Sequence, residues 1–287
     1  QYVYKEHSPE FLYYFTLNEL FGNQLDTGVE RFERDSVRFK KTQIWNALYD
    51  FQKDCVVSAI RKLNTYGGCI IADSVGLGKT FEALAIIKYF EISMNRVLVL
   101  TPAKLYDNWN SFRGDYTDSF LQEQFNYRIM FHTDLSRYSG MSRSGQDLKK
   151  FDWGLYDLVV IDESHNFRNN NARNNKVTRY TKLLNDIVKS GVETKILMLS
   201  ATPVNNKMND LKNQIYFITE GKDDAFEEEG IVSVEQTLRK AQLIFNKWTN
   251  LPEQQRTVDE FIEMMNTDYF KLLDTVTIAR SRKHIEK

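Results

Sequence analysis

Two short stretches carry side chains suited to phosphate chemistry. The first, Asp73-Ser74-Val75-Gly76-Leu77-Gly78-Lys79-Thr80, follows the apolar run Cys69-Ile70-Ile71 and opens the helical pattern KTFEALAIIKYF. A glycine-bearing turn between strand and helix directs backbone N–H groups at an anion, and the helix N-terminus adds a favourable partial charge. Gly76 and Gly78 allow the backbone to approach phosphates closely. Lys79 is then placed to meet the β- and γ-phosphates, and the Thr80 hydroxyl to complete a Mg²⁺ shell. Asp73 stands where the GxxxxGK[ST] pattern has its first glycine, so a glycine turn with an incidental Lys-Thr is the competing reading.

The second stretch is Asp162-Glu163-Ser164-His165, directly after the apolar run Leu158-Val159-Val160-Ile161. An Asp ending a buried strand suits Mg²⁺, and the adjacent Glu can orient or deprotonate an attacking water. Asp-Glu turns are common alone, but this one follows a phosphate loop by at least one strand–helix–strand spacing. His165 in isolation reads as a structural histidine; beside a hydrolytic carboxylate it is a candidate for coupling. Gln52, in LYDFQKDCV ahead of the loop, offers an amide that matches the N6/N7 edge of adenine; a surface glutamine is the bland alternative.

These groups need a scaffold that brings strand ends together. The runs Cys69–Ile71, Val97–Leu100, Arg128–Phe131, Leu158–Ile161 and Ile196–Leu199 alternate with helical periodicity. Continuous apolar runs of this length suit strands buried on both faces of a parallel sheet. The predicted fold class is therefore α/β with a central, mostly parallel sheet flanked by helices. Each run is followed by a polar cluster: Asp73–Thr80, Thr101-Pro102, His132-Thr133, Asp162–His165 and Ser200–Pro203. All five then lie at the carboxyl edge, where open α/β sheets bind ligands.

Ser8 to Gly22 reads as a capped helix. Beyond Asn206 the pattern turns helical in DLKNQIYFITE, SVEQTLRKAQLIFNKWTN and TVDEFIEMMNTDYFKLLDTV, with Ser233 and Gln236 spaced as a capping box. The acidic run Asp223 to Glu229 between them reads as a solvated loop. The expected organisation is an N-terminal helical extension (1–46), an α/β lobe (47–206), a helical protrusion (207–274) and a lobe-ending segment (275–287).

Composition narrows the classes further. With 42% hydrophobic and 27% charged residues among 287, the chain reads as an ordinary globular protein. A net charge of −1 excludes a uniformly basic footprint, so any nucleic acid must be held by local Lys and Arg. The two cysteines, Cys55 and Cys69, have no metal-site spacing, which suits a reducing, cytoplasmic setting. No apolar run approaches the ~20 residues of a membrane span. A first residue of Gln suggests a trimmed sequence.

Taken together, FQKDCV, DSVGLGKT, LTPAKLYDNW, VVIDESHNFRN and LSATPVNN resemble the motifs of a superfamily-two helicase of the Swi/Snf-type branch. In that family the phosphate loop commonly reads DEMGLGKT or DEVGLGKT, so Asp73 is the family's own residue. DESH in place of DEAH or DEGH, and SAT in place of GT, resemble bacterial or phage-type members. TVTIARSRKHIEK is similar to the element that ends the family's first lobe.

The resemblance implies a RecA-like first lobe binding ATP and Mg²⁺, with Gln52 and Asp73–Thr80 at the nucleotide, Thr80 and Asp162 at the metal, and Lys79, Asp162 and Glu163 as catalytic residues. It implies coupling through His165, Ser200 and Thr202. Nucleic-acid backbone contacts fall at Thr101, Pro102, Lys104, His132, Thr133 and Asn205, with Arg168 on a basic loop. It further implies a second RecA-like lobe outside this sequence, because only three residues follow His284, and hence half a motor that hydrolyses ATP poorly alone. The favoured polymer is DNA. An RNA-directed or polymerase-recycling ATPase, and a nucleotide-binding interaction module without motor activity, remain as alternatives.

Overall fold

The computed structural model describes residues 37–280 apart from 75, 114–120, 169–177, 191 and 202–207. The helix expected over Ser8 to Gly22 lies outside the described residues. Six strands, β1 (Gly68–Ile71), β2 (Val97–Thr101), β3 (Arg128–Phe131), β4 (Leu158–Ile161), β5 (Lys195–Leu199) and β6 (Thr277–Ile278), form one sheet in the order β3-β2-β4-β5-β1-β6. Every pairing is parallel. The five apolar runs are the first five strands. β6 escaped the sequence reading because two residues carry no periodicity.

The unbroken apolar runs are explained by two cores. Ile70, Leu98, Leu100, Val159, Ile161, Ile196 and Met198 pack on one face. Cys69, Ile71, Val97, Val99, Leu158, Val160, Leu197 and Leu199 pack on the other. Successive strand residues point to opposite faces, so a strand covered on both sides must be apolar throughout.

Nine α-helices follow the chain among the described residues: α1 (Gln43–Ala47), α2 (Asp50–Tyr66), α3 (Lys79–Ile92), α4 (Tyr106–Asn110), α5 (Arg179–Lys182), α6 (Met208–Ile218), α7 (Val234–Thr249), α8 (Val258–Met264) and α9 (Thr267–Val276). α2 and α3 cover one sheet face through Val56, Ala59, Ile60, Leu84 and Ile87. On the other face, Leu211, Ile215, Phe245, Trp248, Phe261 and Tyr269 of α6 to α9 continue the core that begins at the sheet. The last of the three helical patterns breaks in two, because the Asn266 side chain accepts a hydrogen bond from Asp268 N at 3.0 Å and starts α9 afresh. Lys62 of α2 is buried and donates to the carbonyls of Asp274 and Thr275 at the end of α9. A cation there satisfies orphan carbonyls and complements the helix dipole.

The run from Asp223 to Glu229 is not simply a solvated loop. Asp223 accepts from Glu235 N at 2.7 Å, from the Ser233 hydroxyl, and from the Tyr216 hydroxyl at 3.3 Å. Its carboxylate thus serves the N-terminus of α7, whose own cap Ser233 accepts from Gln236 N at 3.0 Å. These bonds hold the Asp223 carboxyl below its usual range despite partial burial. Phe226 in the same run is buried. Replacing Asp223 by Ala should cost about 1–2 kcal/mol in a urea unfolding curve, whereas the same change at exposed Asp224 should cost less than about 0.5 kcal/mol.

Candidate active site

The phosphate loop leaves β1 at Ile71 and ends where α3 begins at Lys79. Gly76 and Gly78 both take φ of 86°, a conformation that L side chains adopt at a cost. At Gly78 a Cβ would also lie 2.4 Å from Gln52 Nε2, so a side chain there would push that amide aside. The Lys79 ammonium donates to the carbonyls of Asp73 at 2.7 Å and Ser74 at 3.4 Å. Burial pushes its pKa down, opposed by the charges of Asp73, Glu163, Glu82 and Asp162. The carboxylates at the end of β4 therefore lie close enough to be felt at the lysine.

Asp162 follows β4, its N–H donating to Leu100 O at 2.9 Å. Its Oδ2 accepts from the indole Nε1 of buried Trp109 at 2.9 Å. Desolvation raises the Asp162 pKa and the Trp109 bond opposes that shift. Glu163 sits at φ 51°, ψ 50°, a left-handed backbone unusual for a non-glycine residue and of the kind found at functional turns. Glu163 Oε2 lies 3.1 Å from His165 Nδ1, and this contact, ahead of Lys79 and Lys104 at longer range, holds the Glu163 carboxyl below its usual value. The Glu163 carboxylate stays ionised at neutral pH.

The residues present fit a magnesium–nucleotide group in chemical terms: a positive-φ glycine loop, a half-buried ammonium, a threonine on the first helical turn, and two carboxylates at the end of β4. Gln52 is nearly buried, accepting from Tyr49 N and donating to Leu77 O, each at 3.0 Å. It braces the phosphate loop from α2. Val75, Thr202 and Asn205 lie outside the described residues.

Three expected site residues require correction. The Asp73 side chain is fully buried and bound to Arg280 at 2.7 Å, so its carboxylate does not take part in the ATP-binding surface. Thr101 is fully buried within β2, its hydroxyl meeting Pro102 O at 3.5 Å. His132 is buried too, its Nε2 3.3 Å from Leu100 O and its ring edge-on to Phe167. Neither Thr101 nor His132 presents a face to a polymer; a strand end can turn its side chain inward as readily as outward. Thr133 and Lys104 are exposed, and Pro102 is half-buried. Arg168 is half-buried, its carbonyl accepting from the Asn213 amide. Ser200 is buried, and its N–H donates to Ile71 O at 3.1 Å.

Two contributors were missed. Trp109 reads as core from its sequence, and it is core, but its indole N–H also orients Asp162. Ser164 Oγ donates to the buried Gln214 of α6 at 2.9 Å, joining the carboxylate turn to the helices beyond. Only the LTPxxLxxxW spacing hinted at the first, and no local signal marks the second.

The family model for the SNF2-related domain matches residues 51–242. The chain belongs to this family. Among curated relatives, the Bacillus subtilis protein "Uncharacterized ATP-dependent helicase YqhH" is 28% identical over 174 residues, 59% of this chain and 29% of that protein. The mouse "DNA annealing helicase and endonuclease ZRANB3" is 28% identical over 188 residues, 62% of this chain and 16% of that protein. This SNF2-related chain spans less than a third of the length of either. Among solved structures, a "Sulfolobus solfataricus SWI2/SNF2 ATPase core in complex with dsDNA" aligns over 82% of this chain and 44% of that one, at 17% identity and a TM-score of 0.46.

Burial drives the pKa of His132 from 6.5 down to about 4. Between these values the unfolded chain takes up a proton that the folded chain refuses. Stability should therefore fall as pH drops from about 6.5 to 4, by up to roughly 3 kcal/mol. A His132→Gln variant, followed by urea unfolding across that range, should lose this slope. For Trp109→Phe, the Mg²⁺ concentration supporting half-maximal nucleotide binding should rise roughly tenfold, as expected when a partner orienting a metal ligand is lost. Unchanged Mg²⁺ dependence would show that the indole only packs.

Proposed function

We propose that this chain is the first RecA-like lobe of an ATP-dependent DNA translocase of the helicase type. The observation that carries the reading is the convergence of Lys79 from β1 with Asp162 and Glu163 from β4. Glycine loops occur in many proteins; a loop lysine that feels the charges of an Asp-Glu pair two strands away suits hydrolysis of a nucleotide. Membership of the SNF2-related domain family, and relatives described as ATP-dependent and DNA helicases, support the same reading.

Gly76, Gly78, Lys79 and Thr80 would hold the phosphates, Thr80 and Asp162 the Mg²⁺, and Gln52 with its neighbours the base. Bound Mg-ATP supplies the phosphoanhydride bond whose cleavage drives the motor. Glu163, kept ionised by His165, orients water and accepts its proton. Trp109 limits the rotation of Asp162. Lys104 stands between the two functions: it is exposed on the turn after β2, yet its charge is felt at Glu163. Contacts to the DNA backbone are assigned to Pro102, Lys104, Thr133, Arg168 and Asn205, and coupling to His165, Ser200 and Thr202. Such contacts position a duplex without reading its sequence. A second RecA-like lobe would supply arginine to the γ-phosphate, a contribution of roughly 10³ to 10⁵ in rate.

Phosphate release from Mg-ATP, measured with single-stranded DNA, duplex DNA or RNA, tests this directly. This chain by itself should bind Mg-ATP yet turn over no faster than its Glu163→Gln variant. Joined to a second lobe, it should show DNA-stimulated turnover that Glu163→Gln reduces at least about a hundredfold. Stimulation by RNA alone would replace the DNA assignment, and no stimulation by any polymer would leave a nucleotide-binding interaction module.

A further inference from the structure

Asp73 and Glu82 flank the phosphate loop, one after β1 and the other in the first turn of α3. Both side chains are fully buried. One guanidinium joins them: Arg280 Nη2 lies 2.7 Å from Asp73 Oδ2 and 2.7 Å from Glu82 Oε1, and Nε lies 3.5 Å from Asp73 Oδ1. The main chain repeats the link, with Ala72 N donating to Ile278 O at 2.7 Å and Ser74 N to Arg280 O at 3.2 Å. Phe51 covers the guanidinium, its ring centre 5.3 Å from the central carbon. The segment after β6 is thus laced along the entry to the loop, and its arginine fastens the exit.

A metal ion is the obvious alternative for this cluster, since donor atoms of Cys55, Asp73 and Glu82 lie within 4.8 Å of one another. The guanidinium already supplies the positive charge to both carboxylates. Burial raises the Cys55 pKa well above its usual value, so the group remains a thiol.

We propose that Arg280 is a positioning residue for nucleotide binding: by clamping Asp73 and Glu82 it holds the two ends of the phosphate loop at a fixed separation, so the loop's N–H groups are preformed for the anion. The inference rests on the nucleotide reading of the loop given above. It explains why an aspartate, with no place against the phosphates, occupies the position of the usual first glycine. It also gives the chain's C-terminal segment a direct hold on the nucleotide site, so that displacement of one displaces the other. A planar, five-donor fork can serve two carboxylates at once, which an ammonium cannot do with the same geometry.

Arg280→Met alone would strand two buried carboxylates, so the informative variant is the neutral triple Asp73→Asn/Glu82→Gln/Arg280→Met, in which no unpaired charge remains. Two readouts are compared with wild type: amide hydrogen exchange over residues 72–82 against that of β4 without nucleotide, and calorimetric binding of Mg-ADP. The triple variant should unfold near the wild-type midpoint, yet exchange at least tenfold faster in the loop alone and bind Mg-ADP at least tenfold more weakly. Arg280→Lys should fall between the two, and it carries the comparison should the triple variant not fold. Wild-type affinity and loop protection in these variants, or faster exchange spread evenly over the sheet, would overturn the proposal. Failure of the wild-type chain to bind Mg-ADP would instead strike at the nucleotide reading, and the exchange comparison would still decide whether Arg280 orders the loop.

Discussion

Strand β5 is the piece on which the arrangement of the site depends. β1 and β4, which end in the phosphate loop and the carboxylate turn, do not touch each other; each pairs with β5 instead. Ile71 lies opposite Leu199, and Ile161 lies opposite Met198. Those two registers bring the end of β1, where the phosphate loop begins, and Asp162 to the same level of the sheet, that of Leu199. Because side chains alternate faces, a slip of one residue in either pairing would reverse every apolar contact of that strand as well as misplace its loop. The packing that stabilises the fold therefore also enforces the geometry of the site. Ser200, directly after β5, lies between the two, its N–H tied to Ile71 O.

Charge is the second constraint, and it runs against burial. An unpaired buried ion costs several kcal/mol, so each one needs a partner built into the fold. Lys62 meets helix-end carbonyls, and buried Lys182 donates to Arg137 O at 2.6 Å while lying 4.6 Å from the Trp153 ring centre. Arg280 meets Asp73 and Glu82. The groups to which catalysis is assigned above are held less completely: Lys79 leans on two carbonyls of its own loop, and Glu163 on a single imidazole. That difference suits their work. A side chain that must receive phosphate or a proton cannot be saturated by its own protein, whereas one that holds a loop in place can be.

Much of this was legible in the chain. The five long strands were visible because a sheet buried on both faces leaves unbroken apolar runs, and the loop and carboxylate turn because their chemistry demands particular residues at particular spacings. Thr101 and His132 misled because position at a strand end does not determine which way a side chain turns; packing decided that, and Phe167 supplied the surface His132 needed. Asp73 was read as part of the nucleotide surface because its partner lies 207 residues away in sequence. Pairings over such distances leave no periodic trace. Asp223 misled for another reason: an acidic cluster is usually solvated, but one of its members served a helix N-terminus at Ser233 and Glu235, beyond the end of the run.

The helices after β5 are tied into the chemistry more closely than an appended segment need be. Ser164, in the turn that carries Asp162 and Glu163, bonds to Gln214 in the middle of α6, and both side chains are fully buried. At the other end of α6, Met208 N donates to Gln242 of α7 at 2.8 Å, and the Tyr269 hydroxyl of α9 meets Met208 sulfur at 3.6 Å. α9 then delivers the chain into β6 and on to Arg280. A continuous path of buried contacts thus runs from the carboxylate turn through α6 and α9 to the clamp on the phosphate loop. Alanine, which has no hydroxyl, could not make the first of these bonds. Serine at position 164 gives this chain a polar link between the carboxylate turn and α6 that an apolar residue there would leave to packing alone.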